Sequence, residues 1–178
     1  MMPRHRRLVA QARLDSPLGP ITVAATEQGL AGLWFDGQAH HPGPLDAPVD
    51  AQQRFIALAR VQLQRYWDGK LQDRFDVPLD ARGTPFQQAV WRALLTVPRG
   101  RTTTYAAVAA DAGAARAVRA AGAAIARNPL SIIVPCHRVL GADGSLTGYA
   151  GGLQRKQALL RLEGAAPGPA SATIAAHK

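Results

Sequence analysis

Two changes of pattern along the chain predict a mixed α/β (α+β) protein built in two parts. Short β-like runs occupy residues 8–36 and give way to a helical period, whereas the second half reads as helices separated by tight turns. Charge divides at the same place. Residues 1–83 carry ten Lys and Arg against nine Asp and Glu, and residues 84–164 carry ten against three. We expect a sheet-plus-helix domain over 1–83, a helical domain over 84–164, and a disordered tail of small and Pro residues over 165–178.

Taken in order, "ITVAA" and "LAGLWF" lie beside the turn formers "DSPLGP" and "EQG", which predicts an antiparallel hairpin or meander. Residues 37–50, "GQAHHPGPLDAP" and its flank, read as a solvated loop; the paired histidines lack a second spaced cluster for a metal. From Asp50, Phe55, Leu58, Ala59, Leu63, Tyr66 and Trp67 recur at helical spacing until "DGK". Thr84-Pro85 offers an N-cap and first-turn pair for a helix carrying Phe86, Val90, Leu94 and Val97 on one face. A short helix then follows Thr103 and runs through Val108, and another runs from about Ala114 to Ala126, ahead of Asn128-Pro129. Three helices with tight turns resemble a helix-turn-helix. "SIIV" predicts a buried strand, "GADGSLTGYAGG" a loop, and "LQRKQALLRLEG" a last helix closed by Gly164.

No apolar run approaches the roughly 20 residues of a membrane span, and the charged start has no apolar segment behind it, so we expect a cytoplasmic protein. The formal net charge is +9, concentrated in the second half; a polyanionic partner, nucleic acid first, or an Arg-rich composition without function would both account for it. The segment "AARAVRAAGAAIA" sharpens the choice without closing it. Its long exposed side chains are arginines, Arg116 and Arg119, and its small residues suit either tight core packing or close approach to a phosphate backbone or shallow groove.

The single cysteine, Cys136, stands in "VPCHRV". It cannot form an internal disulfide, which leaves buried filler, a redox handle or a nucleophile. Pro135 fixes the chain before it, and His137 and Arg138 supply a base and a fixed positive charge, surroundings that favour thiolate. A histidine acting as base needs an acid to orient it. Among Asp111, Asp143 and Glu163, the first suits a helix end and the second an ordinary turn, so Glu163 is the candidate, against the plainer reading of a solvated last-turn residue.

Together, "TPFQQAVWRALLTVPRGRTTTYAAVA", "AVRAAGAAIARNP", "IVPCHRV" and "GSLTGYAGGLQRKQALLRLEG" resemble the methylated-DNA–protein-cysteine methyltransferases, over essentially all of residues 84–164 and more faintly in "DSPLGPITVAATEQGLAGLWF" and "FDVPLD". The resemblance implies a ribonuclease-H-like sheet-plus-helix N-terminal domain and a C-terminal domain with a winged-helix-like helix-turn-helix. It implies binding to duplex DNA through the minor groove, flipping of the damaged base, and a single irreversible transfer of the alkyl group of O6-methylguanine, with O4-methylthymine as a second lesion, onto Cys136.

The roles that the resemblance assigns follow residue by residue. Cys136 is the nucleophile, His137 its base through water, Glu163 the orienting acid, and Asn128 the hinge asparagine between recognition helix and active-site loop. Tyr149 donates to the leaving oxygen, and Val139, Ala150 and Pro135 belong to the substrate pocket. On the DNA side, Arg119 is the finger that fills the vacated stack, Tyr105 helps to rotate the nucleotide, Arg116 is a phosphate contact, and Thr104, Ala120 and Gly122 lie at the interface.

Ala114-Ala115 replace a proline often found before the recognition helix. The cysteines that bind zinc in some relatives are absent, so neither metal nor cofactor is expected, and no further domain suggests transcriptional control. We expect a monomer, with cooperative clustering along DNA left open. The competing readings are a DNA-binding module that holds an alkylated base without repairing it, and a thiol redox sensor, which would lack a resolving cysteine in this chain.

Overall fold

In the computed structural model, which describes residues 7–71 and 74–165, the first half forms an antiparallel meander. Its strands are β1 (Ala10–Leu14), β2 (Ile21–Ala25) and β3 (Leu30–Phe35), in the order β1-β2-β3. Alternation is clean only in β1. All six residues of β3 are buried, and its edge pairs with backbone of the second half of the chain. Helix α1 (Arg54–Trp67) lays Phe55, Ile56, Ala59, Leu63 and Tyr66 on the sheet. It begins four residues after Asp50, since Asp50 Oδ1 holds the Gln52 N–H in a turn and Gln53 supplies the cap, accepting from Phe55 N and Ile56 N.

The second half starts with α2 (Pro85–Leu94), closed at its N-terminus by a capping box between Thr84 and Gln87. Then come β4 (Thr103–Thr104), α3 (Tyr105–Asp111), α4 (Val118–Ala126), a 3-10 turn (Cys136–Arg138), β5 (Val139–Leu140) and α5 (Leu153–Leu162). Helix α3 runs past the expected Val108, with Thr104 Oγ1 as its cap. Helix α4 starts at Val118 rather than Ala114, because residues 114–117 close a turn, Ala117 N–H to Ala114 O, and no side chain caps the new start. Helices α2, α3 and α4 pack together, and the Trp91 indole donates to Ala124 O across α2 and α4 at 2.9 Å.

One expectation fails. The apolar run "SIIV" is buried but is not a strand: residues 131–133 form a turn, Ile132 takes a left-handed φ of 72°, and strand geometry begins only at Val139, in parallel pairing with β4. A short buried apolar run does not distinguish strand from turn. The deciding group is Asn128, whose side chain gathers the carbonyl of Val134 and the amide of Leu130 and so folds the segment back on itself.

The halves share one hydrophobic core, and β3 meets the second half edge to edge: Leu33 N–H donates to Pro129 O and Ser131 N–H to Leu33 O. No helix among the described residues is long and apolar enough to cross a membrane. The expected disordered tail lies, from residue 166 onward, outside the described residues.

Candidate active site

The turn that Asn128 organises presents Cys136. Pro135 has no N–H to donate, and the chain passes from it directly into the 3-10 turn, whose three residues are Cys136, His137 and Arg138. Asn128 Nδ2 donates to Val134 O at 2.8 Å and to Cys136 Sγ at 3.1 Å, while its Oδ1 accepts from Leu130 N at 2.9 Å. One buried amide therefore fixes the loop and touches the sulfur.

His137 is fully buried, and its Nε2 lies 2.7 Å from Glu163 Oε1. Arg138 clamps the same carboxylate through Nε at 2.8 Å and Nη2 at 2.9 Å, and its Nη1 donates to Val97 O at 2.5 Å. Glu163 is the C-cap of α5 and is 7 % exposed, so the solvated reading of this residue does not hold. Burial alone would raise its carboxyl, but the hydrogen bonds from His137 and Arg138 outweigh burial and hold it well below the usual range. A carboxylate can only accept, so the imidazole carries its proton on Nε2. The buried, unpartnered Nδ1 is left as the basic atom.

At rest the reacting groups are neutral. Burial pushes the Cys136 thiol up, opposed by the Asn128 donor and the Lys156 charge, and burial pulls His137 down against the pull of Glu163. Burial, with the nearby sulfur, raises Tyr149 well above its ordinary value, so its hydroxyl keeps its proton; that oxygen too is buried and unpartnered.

Cys136 and Tyr149 line a cavity of about 380 Å³ together with Ala150, Gly148, Tyr105, Gly122, Ala39 and His40. Tyr105 is held there by its hydroxyl, which donates to Thr147 O at 3.1 Å. Thr104 caps α3 directly before it, and Ala120, Arg119 and Arg116 lie on the exposed surface beside the cavity's helix, Arg116 ahead of α4 and Arg119 in its first turn. The same helix buries Ala121, Ala124 and Ile125, so its small residues both pack inward and leave a low outer surface. Pro135, expected in the pocket, instead lines a second cavity of about 680 Å³ with Arg138, Tyr66 and Arg99. Val139, likewise expected there, offers its carbonyl to Lys156 from β5.

Several residues of the site were not singled out from the sequence. Lys156, fully buried on α5, donates through Nζ to Val139 O, Thr147 O and Gly148 O and so ties down the loop that carries Tyr149; burial lowers it to about 8. Its place four residues after the N-cap of α5, facing inward with Leu159 and Leu160, is the one signal that could have found it. The loop read as solvated also reaches the pocket, where Ala39 N–H donates to Ala150 O at 2.9 Å and Gln38 Oε1 accepts from Ser131 Oγ at 3.0 Å.

Comparison with known proteins places both halves of the chain in one family. Residues 9–81 match the family described as 6-O-methylguanine DNA methyltransferase, ribonuclease-like domain, and residues 85–165 match 6-O-methylguanine DNA methyltransferase, DNA binding domain. The methylated-DNA–protein-cysteine methyltransferase of Mycobacterium tuberculosis is 49% identical over 150 residues, covering 84% of this chain and 89% of that protein. Its counterpart in Methanosarcina barkeri is 46% identical over 153 residues, covering 84% and 94%. Among solved structures, OGT of Mycobacterium tuberculosis in complex with DNA superposes with a TM-score of 0.81 at 46% identity, over 92% of this chain and 98% of that one. With matches of this extent in both halves, the chain belongs to the methylated-DNA–protein-cysteine methyltransferase family.

Proposed function

We propose that this protein repairs duplex DNA by direct reversal, taking the alkyl group from O6 of guanine onto Cys136 once per molecule. The observation that carries the reading is the setting of the sole cysteine. Its sulfur accepts from Asn128, stands beside a His137–Glu163 pair, and shares a cavity with an unpartnered tyrosine hydroxyl.

Displacement at a methyl carbon needs a soft anionic nucleophile in line with a leaving oxygen whose charge is neutralised. The thiol proton passes to His137 Nδ1, directly or through water, and Glu163 stabilises the imidazolium. Asn128 and the Lys156 charge stabilise the sulfide. As the S–C bond forms and the C–O6 bond breaks, Tyr149 donates a hydrogen bond to O6, and the proton given up by the thiol returns by way of His137 and solvent to complete the neutral guanine. The product is a thioether, a poor leaving group, so the molecule acts once.

Reaching O6 requires the base to leave the stack. Arg119 fills the gap, Tyr105 guides the nucleotide, and Arg116, Thr104, Ala120 and Gly122 meet the backbone and minor groove. The +7 balance of residues 84–164 supports a DNA partner. The same reading assigns 1–83 and 84–164 as the two domains, a monomer as the working unit, and the cytoplasm as the compartment. Val139 contributes backbone at the guanine edge, and O4-methylthymine is a second lesion for the same pocket.

The test is to mix the protein with an equimolar duplex carrying one O6-methylguanine, record intact mass and map the modified residue. A gain of one methyl on Cys136 that stops at one per protein is expected, with Cys136→Ala binding the duplex and gaining nothing. Binding without a mass change in the parent would leave a damage-recognition protein instead.

A further inference from the structure

The carboxylate of Glu163 takes one more donor than the active-site turn provides. Oε1 accepts from His137 Nε2 and Arg138 Nη2, and also from the hydroxyl of Tyr66 at 2.7 Å. His137 and Arg138 belong to the cysteine's own turn, whereas Tyr66 reaches in from α1, 97 residues ahead of its acceptor. Its ring is held firmly: it is 1 % exposed, with Trp67 edge-on at 5.1 Å, Phe75 tilted at 5.6 Å and the Arg99 guanidinium 5.2 Å from its centroid. Arg99 is itself tied to Leu71 O and Leu162 O. A hydroxyl fixed this way meets the carboxylate at a set position, not as one of many rotamers.

We propose that Tyr66 is a positioning residue for the transfer: its hydroxyl, supplied by the N-terminal half, fixes the Glu163 carboxylate and shares its charge, and thereby sets how basic His137 is. The reasoning is a competition for one oxygen. Three donors divide the charge on Oε1, and removing one strengthens the pull of the carboxylate on the remaining Nε2–H, which favours imidazolium. The groups facing this pair are few. Glu163 meets Arg138 from the turn and Tyr66 from α1, with Arg99 beyond the Tyr66 ring, and Lys156 of α5 acts on His137. Glu163, held well below the usual carboxylate range, stays charged where a histidine titrates, and Lys156, lowered to about 8, loses its charge only on the alkaline side of that range, so an acid limb in the transfer rate reports protonation of His137.

This inference rests on Cys136 being the alkyl acceptor, so it is tested by two readouts, one of which needs no DNA. Tyr66→Phe keeps the ring and its packing and deletes the donor. Single-turnover transfer from an O6-methylguanine duplex is followed from about pH 5 to 8, and the His137 ring is titrated by NMR in the free protein. In Tyr66→Phe both the acid limb and the ring titration should move to higher pH by several tenths of a unit, and the plateau rate should fall roughly tenfold. Tyr66→Leu should show the same displacement together with a lower Tm. An unmoved limb and titration in Tyr66→Phe would overturn the proposal even if Tm fell, because a packing defect does not change the charge facing an imidazole. Absence of transfer in the parent protein would overturn the alkyl-transfer reading on its own, and the ring titration would still decide the coupling.

Discussion

Replacing Asn128 by alanine separates the two jobs of one side chain. The residue is 3 % exposed and holds Leu130 N–H and Val134 O, on residues that are 0 % and 2 % exposed; the truncation strands the buried Leu130 donor, whereas Val134 O keeps the Cys136 N–H. At roughly 1–3 kcal/mol for the one unsatisfied group, stability should fall by about that amount. For a chain of this length that is a Tm lower by roughly 2–12 °C. The second job is the 3.1 Å contact to Cys136 Sγ, which strengthens as the sulfur becomes anionic. A hydrogen bond to a charged group is worth about 1.5–3 kcal/mol, so transfer should slow by roughly ten- to a hundredfold. Asn128→Asp is the sharper control. It keeps the acceptor for Leu130 N–H but sets a carboxylate against Val134 O and the sulfur, so transfer should fall further than in the alanine variant. Single-turnover transfer at a temperature well below both Tm values, with Tm measured in parallel, reads the two effects separately. A parental transfer rate in Asn128→Ala beside a lowered Tm would refute any part for this amide in stabilising the sulfide.

Arg119→Ala should slow transfer most on fully paired duplex and least where the lesion is already unpaired, since the finger compensates an unstacking cost of a few kcal/mol; equal rates on both substrates would remove the assignment. Tyr149→Phe should bind the duplex normally and transfer on the order of a hundredfold more slowly, having lost the donor to O6, and an unchanged rate would exclude that role. Acid sensitivity follows from Glu163. Its carboxyl is held below the ordinary range in the folded state, so the folded protein binds fewer protons than the unfolded one across that interval, and the stabilisation is complete above about pH 4.3 and lost as pH falls below it. The stability gap between the parent and Glu163→Gln, measured by denaturant unfolding, should therefore narrow as pH is lowered from about 6 to about 3; a constant gap would contradict the assignment.

The parts of this fold that were legible from the sequence are those governed by local chemistry. Thr84-Pro85 reads as an N-cap and first-turn pair without any partner, and the spacing of Phe55, Ala59, Leu63 and Tyr66 likewise reads as a helix face. The run Ser131–Val134 has the pattern of a strand but not its shape, which is imposed by a side chain outside the run. The sequence places the start of α4 four residues early because alanines carry no start signal. The site divides the same way. Cys136 and His137 announce themselves by adjacency, and Glu163 by scarcity of acids, whereas Tyr66 and Lys156 look like an ordinary core aromatic and an ordinary helix lysine until the fold brings them to Glu163 and to the Tyr149 loop.

The protonation states explain why the site is assembled from so many distant pieces. A thiol that is spent in one reaction is best kept as a thiol until its substrate is in place, and burial does this for Cys136 while also holding His137 neutral. Moving the proton between them then creates two buried charges at once, which is unfavourable unless each meets a group already aimed at it. The sulfide meets the Asn128 amide and the Lys156 ammonium; the imidazolium meets Glu163, whose own charge is held by Arg138 and Tyr66. These supports come from α1, the end of α4, the active-site turn and both ends of α5, so the reactive ion pair is favoured only where all of them converge. On the proposed reading the N-terminal half contributes to the chemistry through Tyr66, whereas the proposed nucleophile, base and orienting acid all lie in the other half.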